Sequence, residues 1–196
     1  MKADLNYTPG NVFETYPFPL TNNNLEELGM QYHAARKALL DYVQIGLTKA
    51  YNLFHNSFLK LIVEEDESIA DKAFEEKHGK DGLWLKKHVQ DLKSVTFNGV
   101  VHQIEELRVI HIKIDIAVLE AYGWRDINMQ HGFYELEYLP ENDRIRFSIH
   151  ASARREILKR LLELNHQQHV QEENNLPKMA SVRQKGTPVA SSPTLF

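Results

Sequence analysis

Two apolar stripes with alternating steps of three and four residues dominate the pattern of this chain. The first is Leu25, Leu28, Tyr32, Ala35, Leu39 and Tyr42, and the second is Ile104, Leu107, His111, Ile114, Val118 and Tyr122. On an α-helix such positions share one face, and that face leaves water only by packing against a partner. Two stripes of similar length in one chain can bury each other. The expected core is therefore a long antiparallel helical pair with a coiled-coil-like seam. The predicted fold class is mainly α: this pair plus a third helix, with a small β-hairpin and an extended N-terminal segment.

Composition allows such a core and narrows the function. The chain has 196 residues, 42% hydrophobic and 26% charged, with a formal net charge of −4. That suits one domain plus extensions. A net acidic chain does not coat nucleic acid by bulk charge, so any DNA contact must come from local patches. The absence of cysteine excludes disulfides, thiolate metal sites and a cysteine nucleophile, and it fits a cytoplasmic location. Met1 to Gly10 is polar and unlike a signal peptide. The longest apolar run, Phe58 to Val63, contains Lys60 and is far too short for a bilayer, so no membrane partner is expected.

Residues 1–20 read as extended. Phe13, Tyr16 and Phe18 are aromatic, while Pro17 and Pro19 forbid a regular central strand. This strip is expected to dock on something. Helix one occupies 21–57, with Asn24 as N-cap, Glu27 as its capping-box partner and Gly46 as a weak point. Residues 58–99 form a helical but irregular region, with short helices over Ile69–Lys77 and Leu83–Leu92 and a turn at Thr96–Gly99. The last folded stretch, 100–173, holds helix two, the hairpin and helix three. Helix two ends at Gly123. In the hairpin, Tyr134, Leu136 and Tyr138 are expected to face Ile145, Phe147 and Ile149 across a turn at Pro140–Asp143. Glu135 and Glu137 would then meet Arg144 and Arg146. Helix three starts near Ala151, with Ile157, Leu158, Leu161, Leu162 and Leu164 as its apolar face. Residues 174–196 lose apolar periodicity and read as a disordered tail.

Five strings, in order, carry a resemblance. They are Tyr7-Thr8-Pro9 leading to Phe13-Glu14-Thr15-Tyr16-Pro17-Phe18-Pro19; Gly46-Leu47-Thr48-Lys49-Ala50-Tyr51-Asn52-Leu53-Phe54-His55; Asp115 through Trp124; His131-Gly132-Phe133; and Ala153 through Leu158 with Arg160 through Asn165. Together they resemble the C-terminal end of single-chain, type IIG-like restriction–modification and phage-exclusion adenine-N6 DNA methyltransferases. In those proteins a methyltransferase domain is followed by a target-recognition domain and a helical end. The resemblance reaches to Glu173, and Phe58–Gly99 reads as an insertion relative to it. It implies a helical fragment that braces target recognition, with weak contact to the DNA backbone, and S-adenosylmethionine as cofactor of the parent only. No Asn-Pro-Pro-Tyr or Asp-Pro-Pro-Tyr motif, cofactor-binding glycine loop or nuclease constellation occurs in the sequence. The chain is therefore expected to have no catalytic centre or cofactor of its own. It is expected to be a truncated gene product or one half of a split enzyme, with an upstream methyltransferase half as partner. The alternative is a stand-alone helical interaction module with no DNA role, docking through Phe13 to Pro19.

The phosphate-contact candidates are Lys49 and Asn52 on helix one and Arg154, Arg155 and Lys159 on helix three, with Arg36, Lys37 and His55 nearby in sequence. Such groups position a protein on DNA without reading bases. For each one singly, a solvated face is the simpler reading. His111 and Asp115, one helical turn apart, with His131 and His150 beside the hairpin, could build a metal site. A histidine–aspartate hydrogen bond is the simpler outcome. Arg160 and His166 resemble the Arg…His spacing of HEPN-type ribonucleases, but Leu161 stands where a polar residue is normal. Trp124 is expected to plug the core.

Overall fold

The computed structural model describes residues 16–19 and 23–175. It contains α1 (Asn23–Val43), α2 (Leu47–His55), a single turn α3 (Glu64–Glu67), α4 (Asp71–Gln90), α5 (Phe97–Ala121), β1 (Gly132–Glu135), β2 (Ile145–Ser148) and α6 (Ala151–Asn175), with a 3-10 turn at Glu141–Asp143. The architecture is mainly helical with one two-stranded hairpin, in agreement with the sequence.

The helices α1 and α5 form the long pair, and two contacts fix its antiparallel sense. The Tyr42 hydroxyl, near the end of α1, accepts from the Thr96 N–H at 3.3 Å and donates to the Ser94 carbonyl at 3.3 Å, both just before α5. Further along, Tyr32 lies beside His111, with ring centroids 6.2 Å apart. At Gly99 a Cβ would fall 2.8 Å from the Tyr42 hydroxyl and 2.9 Å from the Thr96 hydroxyl oxygen. A larger residue there would push the Tyr42 hydroxyl aside.

Helix ends follow local rules. Gln44, at φ 55, takes the left-handed conformation after α1, and the Ile45 N–H returns to the Leu40 carbonyl at 3.2 Å. His88 from α4 bonds the Val43 carbonyl at 2.8 Å. Thr96 caps α5 by accepting from the Gly99 N–H at 3.0 Å, so Thr96–Gly99 is a helix start and not the expected turn. Gly123 ends α5 at φ 74, and the Trp124 N–H reaches the Leu119 carbonyl at 2.8 Å. That is the left-handed glycine cap expected there. Asn24 lies inside α1, so it is not the N-cap, and the residue preceding Asn23 is outside the described residues.

The region 58–99 contributes directly to the core. Leu59, Ile62, Phe74, Leu85, Val89 and Phe97 are buried in one cluster with Leu39, Val43, Leu53, Val100 and Ile104. The Asn98 side chain pins the extended approach to α3, accepting from the Ile62 N–H at 2.8 Å and donating to the Ile62 carbonyl at 2.9 Å. The two short helices expected here form one element, bent at Gly79, whose φ of 75 interrupts the helical geometry.

The hairpin register is shifted by one residue from expectation. Phe133 stands opposite Phe147, Tyr134 opposite Arg146 and Glu135 opposite Ile145. Opposed residues share a face, so Phe133, and not Tyr134, joins Phe147 on the inner side. Edge-to-face packing of Phe133 and Phe147, with centroids 5.4 Å apart, holds that register. Arg144 pairs with Glu135 at 3.7 Å, but Arg146 turns to Asp143 at 3.2 Å and not to Glu137.

Helix α6 is longer than expected, continuing to Asn175, so the expected tail begins inside it and 176–196 lie outside the described residues. It also packs differently. Ala153 is buried, Ile157, Leu161 and Leu164 are half-buried, and Leu158 and Leu162 are 65% and 71% exposed. Ile157 and these leucines spread over an arc of roughly 160° at about 100° per residue, and the body of the protein covers only one side of that arc. We expect Leu107→Ala, in the seam, to cost about 2–5 kcal/mol. Leu162→Ala should shift the urea midpoint barely at all. Equal losses for the two would contradict the packing described.

Candidate functional site

The sequence-derived cations fall in two places. On α2, Lys49 lies 3.6 Å from Asp81 and its ammonium sits 4.6 Å above the Trp84 ring. One turn on, Asn52 lines a cleft of about 470 Å³ with His55, Ser57, Lys80, Arg144 and Arg146. Asp81, Glu141 and Asp143 line the same cleft, so its charge is mixed. On α6, Arg155 is exposed, Lys159 is 3.9 Å from Glu163, and Arg154 donates to the Tyr138 hydroxyl at 3.4 Å. Arg154 also borders a smaller cleft of about 300 Å³ with His111, Asp115, Met129 and Ile157. Arg36 lies over Tyr32, and Lys37 pairs with Asp41.

One residue that organises the larger cleft carried no candidate role in the sequence reading. Arg108 rises from α5 and is buried. Its guanidinium donates to the carbonyls of Leu53 at 3.3 Å, Phe54 at 2.8 Å and Asn56 at 3.1 Å, and its Nε donates to Phe54 at 3.0 Å. These carbonyls end α2, where the helix dipole is negative and partners are missing. The guanidinium also lies over the rings of Phe54, Phe133 and Phe147. Burial lowers its pKa to about 10, which leaves it charged at neutral pH. Its sequence signal was its place one turn after Ile104, on the buried stripe.

Beside it, His55 is held by the Phe147 N–H, which donates to Nδ1 at 3.1 Å. Nε2 therefore carries the proton of the neutral ring. Burial, with Arg146 and Arg108 near by, lowers the His55 pKa to about 4. His78 in α4 is almost fully buried, 4.0 Å from the Asp66 carboxylate, and burial lowers its pKa as well.

His111, His131 and His150 are each engaged. Asp115 receives His131 at 2.8 Å and lies 3.7 Å from His111. His150 is elsewhere, bonding the Ser152 hydroxyl at 2.7 Å at the start of α6. Among the described residues, no group of three or more His, Cys, Asp or Glu is arranged to hold a metal ion. Arg160 grips Asp126 with two bonds of 2.8 and 2.6 Å and Glu156 with a third of 2.8 Å. It also covers Trp124, which stacks on Tyr122 with centroids 4.6 Å apart. Trp124 is thus half-buried between a cation and a tyrosine and does not plug the core.

At the N-terminal strip, the Tyr122 hydroxyl donates to the Pro17 carbonyl at 2.9 Å, and Pro17 is buried. Tyr16 and Phe18 pack edge to face but remain 42% and 52% exposed. Phe13 lies outside the described residues. No helix among the described residues is long and apolar enough to cross a membrane. No family model, curated protein or solved structure matches the chain.

Two outcomes follow. Arg108→Met should cost about 3 kcal/mol or more, because the α2 carbonyls lose their donor inside the protein. Arg108→Lys should recover only part, and equal urea midpoints for Arg108→Met and the parent would contradict this role. Acid should also weaken the fold in a defined window. His55 has a folded pKa below its ordinary 6.5, so its contribution is complete above pH 6.5 and is lost as pH falls towards 4. The full loss is up to roughly 3 kcal/mol. His55→Gln should flatten that limb of the stability–pH curve, leaving the share due to His78.

Proposed function

We propose that this chain is a helical end unit of the kind that follows the recognition domain in type IIG-like adenine-N6 DNA methyltransferases. In this reading it braces target recognition, touches the DNA backbone weakly and has no catalytic centre of its own. Its partners are DNA and a methyltransferase half carrying S-adenosylmethionine. It acts in the cytoplasm.

The observation that carries the proposal is how the five resembling strings interlock. Tyr122 of the third string bonds Pro17 of the first. Asp115 of the third string bonds His131 of the fourth. Arg108 joins the Phe54 carbonyl of the second to the Phe133 ring of the fourth. Arg160 of the fifth covers Trp124 of the third. Each of the five strings thus supplies at least one residue to a contact between separate elements. That is what a shared structural unit requires, and it is unlike a chance run of surface residues.

The second reading, a helical interaction module without a DNA role, draws on the exposure of Tyr16 and Phe18. DNA binding separates the two. Fluorescence anisotropy with mixed-sequence duplexes should show weak, sequence-blind binding that falls with salt. Replacing Arg154, Arg155 and Lys159 by alanine should weaken it equally on all duplexes. It should also flatten the slope of log affinity against log salt by roughly one unit per lost phosphate contact. Labelled S-adenosylmethionine should transfer no methyl group to DNA with the isolated chain. An absence of binding at low salt favours the interaction module, and methyl transfer by the isolated chain refutes the end-unit reading.

A further inference from the structure

One aromatic ring on the wall of the larger cleft is kept out of the core. Phe58 lines that cleft and is 52% exposed, although the next residue, Leu59, is buried. Its backbone is pinned in place. The Phe58 N–H donates to the Asn56 side-chain oxygen at 2.8 Å, and the Asn56 amide donates to the His78 carbonyl at 3.1 Å, at the bend of α4. The ring lies against Gly79, where a Cβ would come within 3.7 Å of it. Polar groups share the cleft. Asn52 and His55 lie one turn apart on α2, and the Asn52 amide has no hydrogen-bond partner among the described residues. The Phe147 N–H occupies the His55 Nδ1, so Nε2–H is the donor that this ring has left to offer. Lys80 has no ion-pair partner among the described residues.

We propose that the cleft takes a single unpaired nucleotide of a DNA strand, with the base on the Phe58 ring, the base edge on Asn52 and His55, and the phosphate at Lys80. The proposal rests on the reading of the chain as a DNA-contacting unit and names what this second surface would hold. The mixed charge selects the ligand. Asp81, Glu141 and Asp143 line the cleft with Lys80, Arg144 and Arg146, so a bare anion gains little there. A nucleotide carries its charge at one end and a flat ring with donors and acceptors at the other. Stacking on an exposed aromatic suits any base. A carboxamide offers a donor and an acceptor together, as a base edge requires. Lysine neutralises a phosphate without reading sequence. The volume of about 470 Å³ falls within the roughly 300–1,000 Å³ of small-ligand sites. A base inside a duplex has both faces stacked on its neighbours and must leave the stack to be held this way. The site therefore sorts single strands from duplexes.

Fluorescence anisotropy at low salt, with a short labelled single strand of mixed sequence, tests this. The full chain should bind the strand. Phe58→Ala should weaken binding roughly tenfold, Phe58→Trp should restore it, and Asn52→Ala should also weaken it. The melting temperature of Phe58→Ala should stay near that of the parent, because the ring is half outside. Deoxyadenosine monophosphate should displace the strand at concentrations where inorganic phosphate does not. Four results overturn the proposal: no binding of the strand, equal binding by the parent and both alanine variants, displacement by phosphate as effective as by the monophosphate, or a monophosphate that binds more tightly than the strand. Each leaves the end-unit reading standing if duplexes still bind through Arg154, Arg155 and Lys159.

Discussion

Arg108 belongs to α5, yet every carbonyl it satisfies lies at the end of α2 or just beyond it. A buried charge is costly unless something answers it. Here the answer is a helix terminus, whose unpaired carbonyls carry partial negative charge and need donors as much as the guanidinium needs acceptors. The same planar group is covered by Phe54, Phe133 and Phe147. One side chain therefore sets where α2 stops, how far α2 lies from the helical pair, and where the inner face of the hairpin rests. The positions of Asn52 and His55 follow, since both lie on the last turns of α2.

The helical pair was legible because a long stripe has one period and little competition. The caps were legible where a special residue was required, as at Gly123, and less so where an ordinary one took the left-handed conformation, as at Gln44. The hairpin was visible but its register was not. Phe133 and Tyr134 are both aromatic neighbours, so alternation alone fits either inner face, and the choice rests on Phe147 and Arg108, which are remote in sequence. Helix α6 misled for a related reason. Leu158, Leu161, Leu162 and Leu164 share one broad arc of the helix, and how much of that arc is covered depends on Asp126 and Trp124, which are remote in sequence.

The site was less legible than the fold. Lys49 and Asn52 stood out as polar residues on a helix, but their surroundings come from α4 and the hairpin loop. Asp81 and Trp84 set the environment of Lys49, and nothing near position 49 announces them. Arg144 and Arg146 were visible as a pair, although their division between Glu135 and Asp143 depends on the loop geometry. Arg108 was hidden because a charged residue on an apolar stripe reads as an interruption. Its acceptors are the backbone carbonyls at the end of α2, which leave no mark in the sequence.

The pairing of α1 with α5 also bears on how the chain reaches its structure. Tyr42 meets the start of α5 only after α2, α3 and α4 have been passed, and Tyr32 meets His111 across a still longer excursion. Contacts this distant in sequence slow the search, since closure entropy is lost before burial repays it. Local units such as α6 and the β1–β2 ribbon close over much shorter spans. The intervening segment cannot wait as a slack loop, because Phe74, Leu85 and Val89 belong to the cluster that the closing pair buries. The cluster is complete only once α5 has left the ribosome, since Phe97, Val100, Val101, Ile104 and Leu107 all come from it.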